Sequence, residues 1–397
     1  MSESIILYGT PMSLYTGRAR AYLRKQHIPF DERMPGDPRF AAEIFPQVQR
    51  LVIPVVELGN GDIVQDSLAI INHFEQSDQK RFSVYPESPI VLLSALILDL
   101  FGAEGLLRPA MHYRWNYFEQ NKALLQAEFG DCAAPAAGIE VTQAVAAQAM
   151  APMQGYLPPL GINDQSIPAI EEQYLELLEL LQKHLLDHPY MLGGLPSIAD
   201  YGLYAPLYAH LARDIYPSQL MKQKAPRLFR WTERMSAENT DMPEYGEYRE
   251  HNQNYFPDDQ IPQTLIDILS LVARDYIPEL EETVNATNRW LAEHPEIETG
   301  ATVTEKPHQQ TIGRIEFQFR DILCSGVNKP YRLTLIQRIS DAYDALDQES
   351  RAACIKFFAP MGLDTLLTLK ANRRIERANN LEVWGAETIN LQGAQPQ

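Results

Sequence analysis

The sequence predicts an α+β domain at the N terminus, followed by an all-α domain and a mainly α-helical C-terminal extension. Short apolar runs typical of strands alternate with helical periodicity over the first 76 residues. Between residues 90 and 235, five segments with helical apolar spacing are separated by loops that contain glycine and proline. The chain has 397 residues, too many for one hydrophobic core, and we predict domains at residues 1–80, 88–240 and 257–397.

The N-terminal domain is predicted to have the element order βαβαββα. Isoleucine-rich runs indicate buried strands, and two apolar runs around Gly59-Asn60-Gly61 indicate a hairpin. The predicted elements are a strand at Ser4–Tyr8, a helix at Tyr15–Gln26, a strand at Ile28–Glu32, a short helix near Ala41 and Phe45, strands at Leu51–Leu58 and Asp62–Gln65, and a helix from Ser67 to Gln76.

Pro54 interrupts the third predicted strand. Proline cannot donate to a strand ladder, so we expect an edge position or a cis peptide bond. A cis Ile53–Pro54 bond would turn the backbone of Ile53 outward, where its N–H and C=O groups pair with a peptide ligand as one more strand.

The rest of the chain is predicted to be mainly helical, with a polar, proline-punctuated linker at residues 236–262. Ser197 and Asp200 form an S-x-x-D capping box at the start of one of the helices. The predicted elements are helices at Ile90–Phe118, Val141–Gln154, Ile170–His188, Ser197–Ala212 and Ala225–Met235, one or two helices at Leu265–Leu291, a strand or hairpin at Ile312–Leu323, and helices at Tyr331–Leu346 and Ala352–Phe358.

These patterns resemble the glutathione S-transferase superfamily, densely over residues 4–77. IPFDE (28–32), VIPVVE (52–57) and VQDSLAIINHFE (64–75) are similar to three segments of its N-terminal thioredoxin-like domain. GGLPSIADYGLYAPLYAHL (193–211) resembles the capping-box helix of its all-helical C-terminal domain. The extension resembles that of some long bacterial members.

The resemblance implies an enzyme that activates the thiol of glutathione through a hydroxyl group. A hydroxyl that donates a hydrogen bond to the sulfur favours the thiolate and lowers the thiol pKa. Alignment of Arg18-Ala19-Arg20 with the Arg-x-Arg of the serine-type zeta and tau classes places Ser13 on their catalytic serine. Tyr8 is the rival donor, as in the tyrosine-type classes. The structural alternatives are a helix cap at Ser13 and a packed tyrosine at the strand end.

The resemblance also implies how glutathione is bound. Asp66 and Ser67 begin a helix whose free N–H groups favour a carboxylate, so Ser67 would take the γ-glutamyl carboxylate and Asp66 the ammonium group. Ile53 and Pro54 would bind the peptide backbone. Many family members have Lys or Gln close before the proline for the glycyl carboxylate; that position is apolar here, and Arg50 is the candidate substitute.

A pocket for the second substrate is expected on the first long helix of the helical domain, lined by Met111, His112 and Trp115. The alternative is that these side chains are core residues.

The predicted reaction uses glutathione as cosubstrate. The thiolate attacks a small apolar or aromatic electrophile, or glutathione assists the isomerisation or dehalogenation of such a compound. The predicted biological role is detoxification. The alternative function is that of a non-catalytic binding or scaffold protein.

Charge and cysteine content set the remaining expectations. The net charge of −18 disfavours nucleic acid as a partner. The apolar run Ile90–Phe101 is too short to span a membrane, so no span is expected. Cys132, Cys324 and Cys354 are far apart and form no CxxC motif, which predicts a cytoplasmic protein without a metal site. A homodimer is expected from the resemblance.

Overall fold

A computed structural model of the chain describes residues 4–251, 253–306, 309 and 311–388. It confirms the predicted fold class, an α+β domain followed by a helical domain and a mainly helical extension. The chain divides into two compact units, Met1–Val272 and Ala273–Gln397. The finer domain boundaries stay a prediction.

The N-terminal domain contains a four-stranded sheet of order β2-β1-β3-β4, in which β1 and β2 are parallel and β3 is antiparallel to both of its neighbours. Pro54 lies directly before the third strand, so the ladder loses no donor to it. A π-helical turn, Phe40–Ile44, precedes the second helix. The elements are β1 Ile5–Tyr8, α1 Leu14–Lys25, β2 Phe30–Arg33, α2 Phe45–Val48, β3 Val55–Glu57, β4 Ile63–Gln65 and α3 Ser67–Glu75.

Nine complete α-helices follow in the first unit, within the residues that the structure describes, and a tenth, Gln263–Glu293, begins there. The nine are α4 Pro89–Leu100, α5 Leu107–Trp115, α6 Phe118–Ala133, α7 Ile139–Gln154, α8 Ile167–Asp187, α9 Ile198–Pro206, α10 Ile215–Lys224, α11 Pro226–Ser236 and α12 Gly246–His251. The capping box of α9 is confirmed, because the backbone N–H of Ser197 donates to Asp200 over 2.9 Å. The sequence did not predict α6, whose large buried apolar side chains are only Leu125 and Phe129.

The helix α4 continues through a π-helical segment into α5, so that Pro89–Trp115 is one helix long and apolar enough to cross a membrane. This helix is longer than the apolar run seen in the sequence. Its most apolar window is 94% buried within the chain. A buried core helix meets the same criteria of length and composition, so the expected absence of a membrane span stays a prediction.

Close packing of two glycines joins this long helix to α9. A Cβ atom on Gly102 would lie 2.3 Å from the backbone carbon of Gly202, so the two backbones touch directly. We expect Gly102→Ala to lower the free energy of unfolding by about 1–3 kcal/mol, because the helices must move apart. Urea denaturation measures this change.

Gly17, inside α1, supplies the control, because its Cβ would meet its nearest neighbour at 3.9 Å. Gly17→Ala is expected to stabilise the chain by about 0.5–1 kcal/mol, since alanine has less backbone freedom to lose. Equal effects of the two substitutions would contradict the packing argument.

The C-terminal end of α1 is anchored by a buried lysine. The Nζ atom of Lys25 donates to the backbone oxygen of Arg234 over 2.7 Å and to that of Asn239. The Nζ atom also lies 6.0 Å from the centre of the Tyr190 ring. Lys25 therefore connects α1 to the end of α11 and the segment that follows it.

Burial lowers the pKa of Lys25 from 10.5 to about 7. The carboxylates of Asp241 and Asp200 oppose this effect, whereas the cations Arg234 and Arg81 add to it. Between pH 7 and pH 10.5 the unfolded chain therefore binds a proton that the folded chain has released. The contribution of Lys25 to the free energy of unfolding must rise with pH across this window.

We expect Lys25→Met to lack this rise, so that wild type gains stability relative to the variant as the pH increases from 7 towards 10.5. Urea denaturation at several pH values measures the difference. Lys183→Met, which removes an exposed lysine of α8, is the control and should follow wild type. Parallel curves for wild type and Lys25→Met would contradict the prediction.

The second unit contains two antiparallel hairpins and several helices. Its elements are the end of α13 Gln263–Glu293, then β5 Arg314–Phe319, β6 Ile322–Val327, α14 Pro330–Asp344, α15 Gln348–Phe358, α16 Asp364–Thr368, β7 Arg373–Ala378 and β8 Leu381–Glu387. The β7–β8 hairpin was not predicted. Buried ion pairs attach α13 to the rest of this unit, Asp275 with Arg320 at 3.0 Å and Glu279 with Arg332 at 2.7 Å.

Candidate functional site

The register of the sheet brings three segments to one end of it. Tyr8 ends β1 and pairs with Val55, the first residue of β3, which pairs in turn with Gln65, the last residue of β4. The loop at residues 9–13, the residue before β3 and the residues after β4 therefore lie at the same end. The backbone N–H of Asp66 donates to the carbonyl of Pro54 over 3.2 Å, which connects two of these segments.

Ser13 is the N-cap residue of α1 and is half-buried. Its Oγ atom accepts a hydrogen bond from the backbone N–H of Thr16 over 3.3 Å. This contact uses a lone pair of the hydroxyl oxygen, and no described residue accepts the hydroxyl proton. The capping role and the proposed donor role use different parts of the same hydroxyl group, so both are compatible with this geometry.

Tyr8 is fully buried and packs against Phe40. Its hydroxyl donates to the carboxylate of Glu57 over 3.2 Å, and Arg39 binds the same carboxylate over 2.6 Å. Burial, and then the charge of Glu57, raise the pKa of Tyr8. Because the hydroxyl is already engaged, this arrangement disfavours Tyr8 as a donor to a ligand.

The segment before β3 has the predicted cis peptide bond between Ile53 and Pro54, and this prediction is confirmed. Pro54 is buried and Ile53 is half-buried. Arg50 is also buried, with 6% of its surface exposed, whereas Leu51 beside it is 73% exposed. The structure thus places Arg50 in this segment, and its role toward a ligand stays a prediction.

Asp66 and Ser67 form the start of α3. Asp66 has a φ of +91°, a backbone conformation that costs a non-glycine residue about 1–3 kcal/mol and is concentrated at functional sites. Its carboxylate accepts from the backbone N–H groups of Leu68 and Ala69, at 2.9 and 3.0 Å. Ser67 is fully buried, and its Oγ has no hydrogen-bond partner in the part of the chain that the structure describes.

Arg114, on α5, holds the loop that leads to Ser13, and this role was not predicted from the sequence. Its guanidinium donates to Asp214 in a bidentate pair, at 2.7 and 2.9 Å, and to the carbonyl of Ala209 at 2.9 Å. A further nitrogen donates to the carbonyl of Met12 at 3.2 Å. Both charged side chains are almost fully buried. No sequence pattern could indicate this ion pair, because Arg114 and Asp214 are one hundred positions apart in the chain.

The three residues predicted for the substrate pocket are used in packing. His112 bonds to Glu171 at 2.9 Å and to Asn116 at 2.8 Å, and burial lowers the pKa of its imidazole. Trp115 packs against aromatic side chains of α6. Met111 is 9% exposed. This burial supports the alternative that they are core residues, and their contact with a substrate stays a prediction.

The end of α6 also contacts the N-terminal domain. The backbone carbonyl of Cys132 accepts from the N–H of Gly36 over 2.9 Å. Burial raises the pKa of the Cys132 thiol to about 11, and the nearby Thr10 side chain opposes this effect. Although this thiol lies near the loop at residues 9–13, it stays protonated at neutral pH and is a poor nucleophile.

Two family models match the chain in the segments just described. Residues 7–81 match the model for the glutathione S-transferase N-terminal domain, and residues 164–234 match that for the glutathione S-transferase C-terminal domain. No curated protein matches the sequence significantly.

Solved structures similar to the chain include a glutathione S-transferase from Xanthobacter autotrophicus Py2, which is 19% identical, with 61% of this chain and 96% of that chain covered and a TM-score of 0.34. A glutathione transferase from Phanerochaete chrysosporium is 15% identical, with coverages of 60% and 98% and a TM-score of 0.42. A rice glutathione S-transferase, solved in complex with glutathione, is 17% identical, with coverages of 59% and 86% and a TM-score of 0.33.

Proposed function

Because the chain belongs to the glutathione S-transferase superfamily, we propose that it is a glutathione transferase-like enzyme with glutathione as its cosubstrate. The observation that carries this proposal is the register of Tyr8, Val55 and Gln65. It gathers at one end of the sheet the loop of Ser13, the cis-proline segment and the start of α3. In this proposal the Ser13 loop contacts the sulfur of the tripeptide, the cis-proline segment its backbone and the start of α3 its γ-glutamyl end.

The start of α3 would hold the γ-glutamyl end. The helix dipole at this end favours a carboxylate, and the Oγ of Ser67, which has no partner among the described residues, can donate a hydrogen bond to it. Asp66 supplies a negative charge for the γ-glutamyl ammonium group. Ile53 would pair with the cysteinyl backbone, and Arg50 is our candidate for the glycyl carboxylate.

Ser13 would act on the sulfur. Its free hydroxyl proton donates to the sulfur, which stabilises the thiolate and lowers the thiol pKa. The thiol proton passes to solvent, and the thiolate forms a carbon–sulfur bond to a small apolar or aromatic electrophile. The electron pair leaves with the displaced group, or remains on the electrophile when the reaction is an addition.

Calorimetric titration with glutathione tests this proposal without knowledge of the electrophile. We expect wild type to bind glutathione, and to bind cysteinylglycine, which lacks the γ-glutamyl group, much more weakly. Ser67→Ala should lose about tenfold in affinity, the cost of one charge-assisted hydrogen bond. Ser77→Ala, which removes a serine at the other end of α3, is the control.

The absence of binding at millimolar glutathione would contradict the transferase proposal. Equal affinity for glutathione and cysteinylglycine would show that α3 does not hold the γ-glutamyl group.

We also propose a cytoplasmic homodimer that acts in detoxification. The three free cysteines, with no disulfide among the described residues, support a reducing compartment. The homodimer and the role in detoxification are supported by membership of the superfamily. Light scattering of the purified chain tests the homodimer.

A further inference from the structure

The second unit contains a cavity of about 410 Å³, which is independent of the glutathione site in its residues and chemistry. One wall is a face of α14, and the other comes from residues 369–374 and the end of β8. Leu333 and Ile336 are 3% and 1% exposed and form its apolar part together with Leu369. Cavities of this size with an apolar floor and a few polar groups are typical of small-molecule sites.

Three cations line the cavity, and two of them are firmly paired. Arg374 binds Asp341 through two hydrogen bonds, at 2.8 and 2.7 Å. Lys370 binds the carboxylate of Asp344. These two pairs neutralise both aspartates of the α14 wall, so the wall offers little net charge to an entering ligand.

Arg373 is held differently. Its guanidinium reaches the carbonyl of Gly385 at 3.3 Å and the hydroxyl of Thr299 at 3.4 Å, both long contacts. Its carboxylate partner is Glu387 at 3.7 Å, beyond hydrogen-bond distance, and the Glu387 side chain is 80% exposed. The Arg373 side chain itself is only 17% exposed. A largely buried guanidinium thus faces the cavity with a loose, solvated partner.

We propose that this cavity binds an apolar monocarboxylate, with the carboxylate on Arg373 and the hydrocarbon body against Leu333, Ile336 and Leu369. Guanidinium and carboxylate match in a bidentate geometry that Glu387 does not achieve. The ligand carboxylate replaces Glu387, whose charge returns to water at little cost because it is already exposed. The apolar floor selects against small hydrophilic anions such as acetate.

Calorimetry on the full chain, with octanoate as the probe and octanamide as its neutral match, tests the site. Wild type is expected to bind octanoate at least about tenfold more tightly than octanamide, since only the carboxylate makes a charge-assisted pair. Arg373→Gln should remove this preference. Arg377→Gln, on the same strand but outside the cavity lining, should keep it.

Two further variants make the test independent of any folding defect in Arg373→Gln. Glu387→Gln removes the competing carboxylate and should strengthen octanoate binding about two- to fivefold. Ala371→Phe fills the cavity without changing a charge and should abolish binding of both probes. The proposal is overturned if wild type does not bind octanoate at millimolar concentration, if octanamide binds equally well, or if Glu387→Gln weakens binding.

Discussion

Replacement of Ser13 by glycine is expected to return the pKa of enzyme-bound glutathione to near its value in free solution, about 8.5 for an ordinary thiol. A hydrogen bond to a charged group contributes about 1.5–3 kcal/mol, so wild type should hold the thiol pKa about one to two pH units lower. The ultraviolet absorbance of the thiolate against pH measures this directly. Turnover should fall about a hundredfold or more.

The choice of glycine separates the two roles of the Ser13 hydroxyl. Glycine is nearly as good an N-cap residue as serine, so Ser13→Gly should lose only a few tenths of a kcal/mol in stability. Ser13→Thr keeps a hydroxyl for both roles and should retain a lowered thiol pKa. Tyr8→Phe should leave the thiol pKa unchanged, because the Tyr8 hydroxyl already donates to Glu57.

If the thiol pKa of glutathione bound to Ser13→Gly equals that in wild type, a residue other than Ser13 donates the hydrogen bond to the sulfur. Bound glutathione with an ordinary thiol pKa in wild type would instead favour the non-catalytic alternative, in which the fold binds its ligand without activating it. The calorimetric and spectroscopic measurements therefore distinguish failure of binding from failure of activation.

The N-terminal domain was predictable because its signals are local. The apolar run that forms β1, the Gly59-Asn60-Gly61 turn and Pro54 each specify backbone geometry over a few residues, and the structure confirms the strands, the hairpin and the cis bond. The start of α3 was predictable for the same reason, because its signal, Asp66-Ser67, is also local. The positive φ of Asp66 was not predicted, and it accompanies a hydrogen bond to Pro54, a residue outside the local helix-start pattern.

The features that the sequence did not reveal either depend on contacts between distant segments or lie in segments whose apolar pattern is weak. The packing of His112 is one example, because its partner Glu171 on α8 lies 59 positions away in the chain. Contact of Met111, His112 and Trp115 with a substrate stays a prediction. The helix α6 itself has few apolar positions, so its periodicity is weak. The cavity on Arg373 requires β7, which the sequence pattern did not reveal because its residues are mostly charged.

Arg114→Met is expected to lower the free energy of unfolding by about 3–5 kcal/mol, because it leaves the carboxylate of Asp214 buried without its partner. Asp214 is 1% exposed, so water cannot take the place of the guanidinium. Urea denaturation measures the loss. Lys183→Met, which breaks an exposed ion pair with Glu179, should cost less than about 1 kcal/mol. A comparable loss in both variants would contradict the prediction.

The double variant Arg114→Met with Asp214→Leu separates the ion pair from the loop that Arg114 holds. Replacing both charges with apolar groups should recover much of the stability, since no unpaired charge remains buried. It does not restore the hydrogen bond to the carbonyl of Met12, the residue before Ser13. If Arg114 positions Ser13, the double variant should still bind glutathione, but the thiol pKa of the bound glutathione should be higher than in wild type. A stable double variant with the wild-type thiol pKa would limit Arg114 to a structural role.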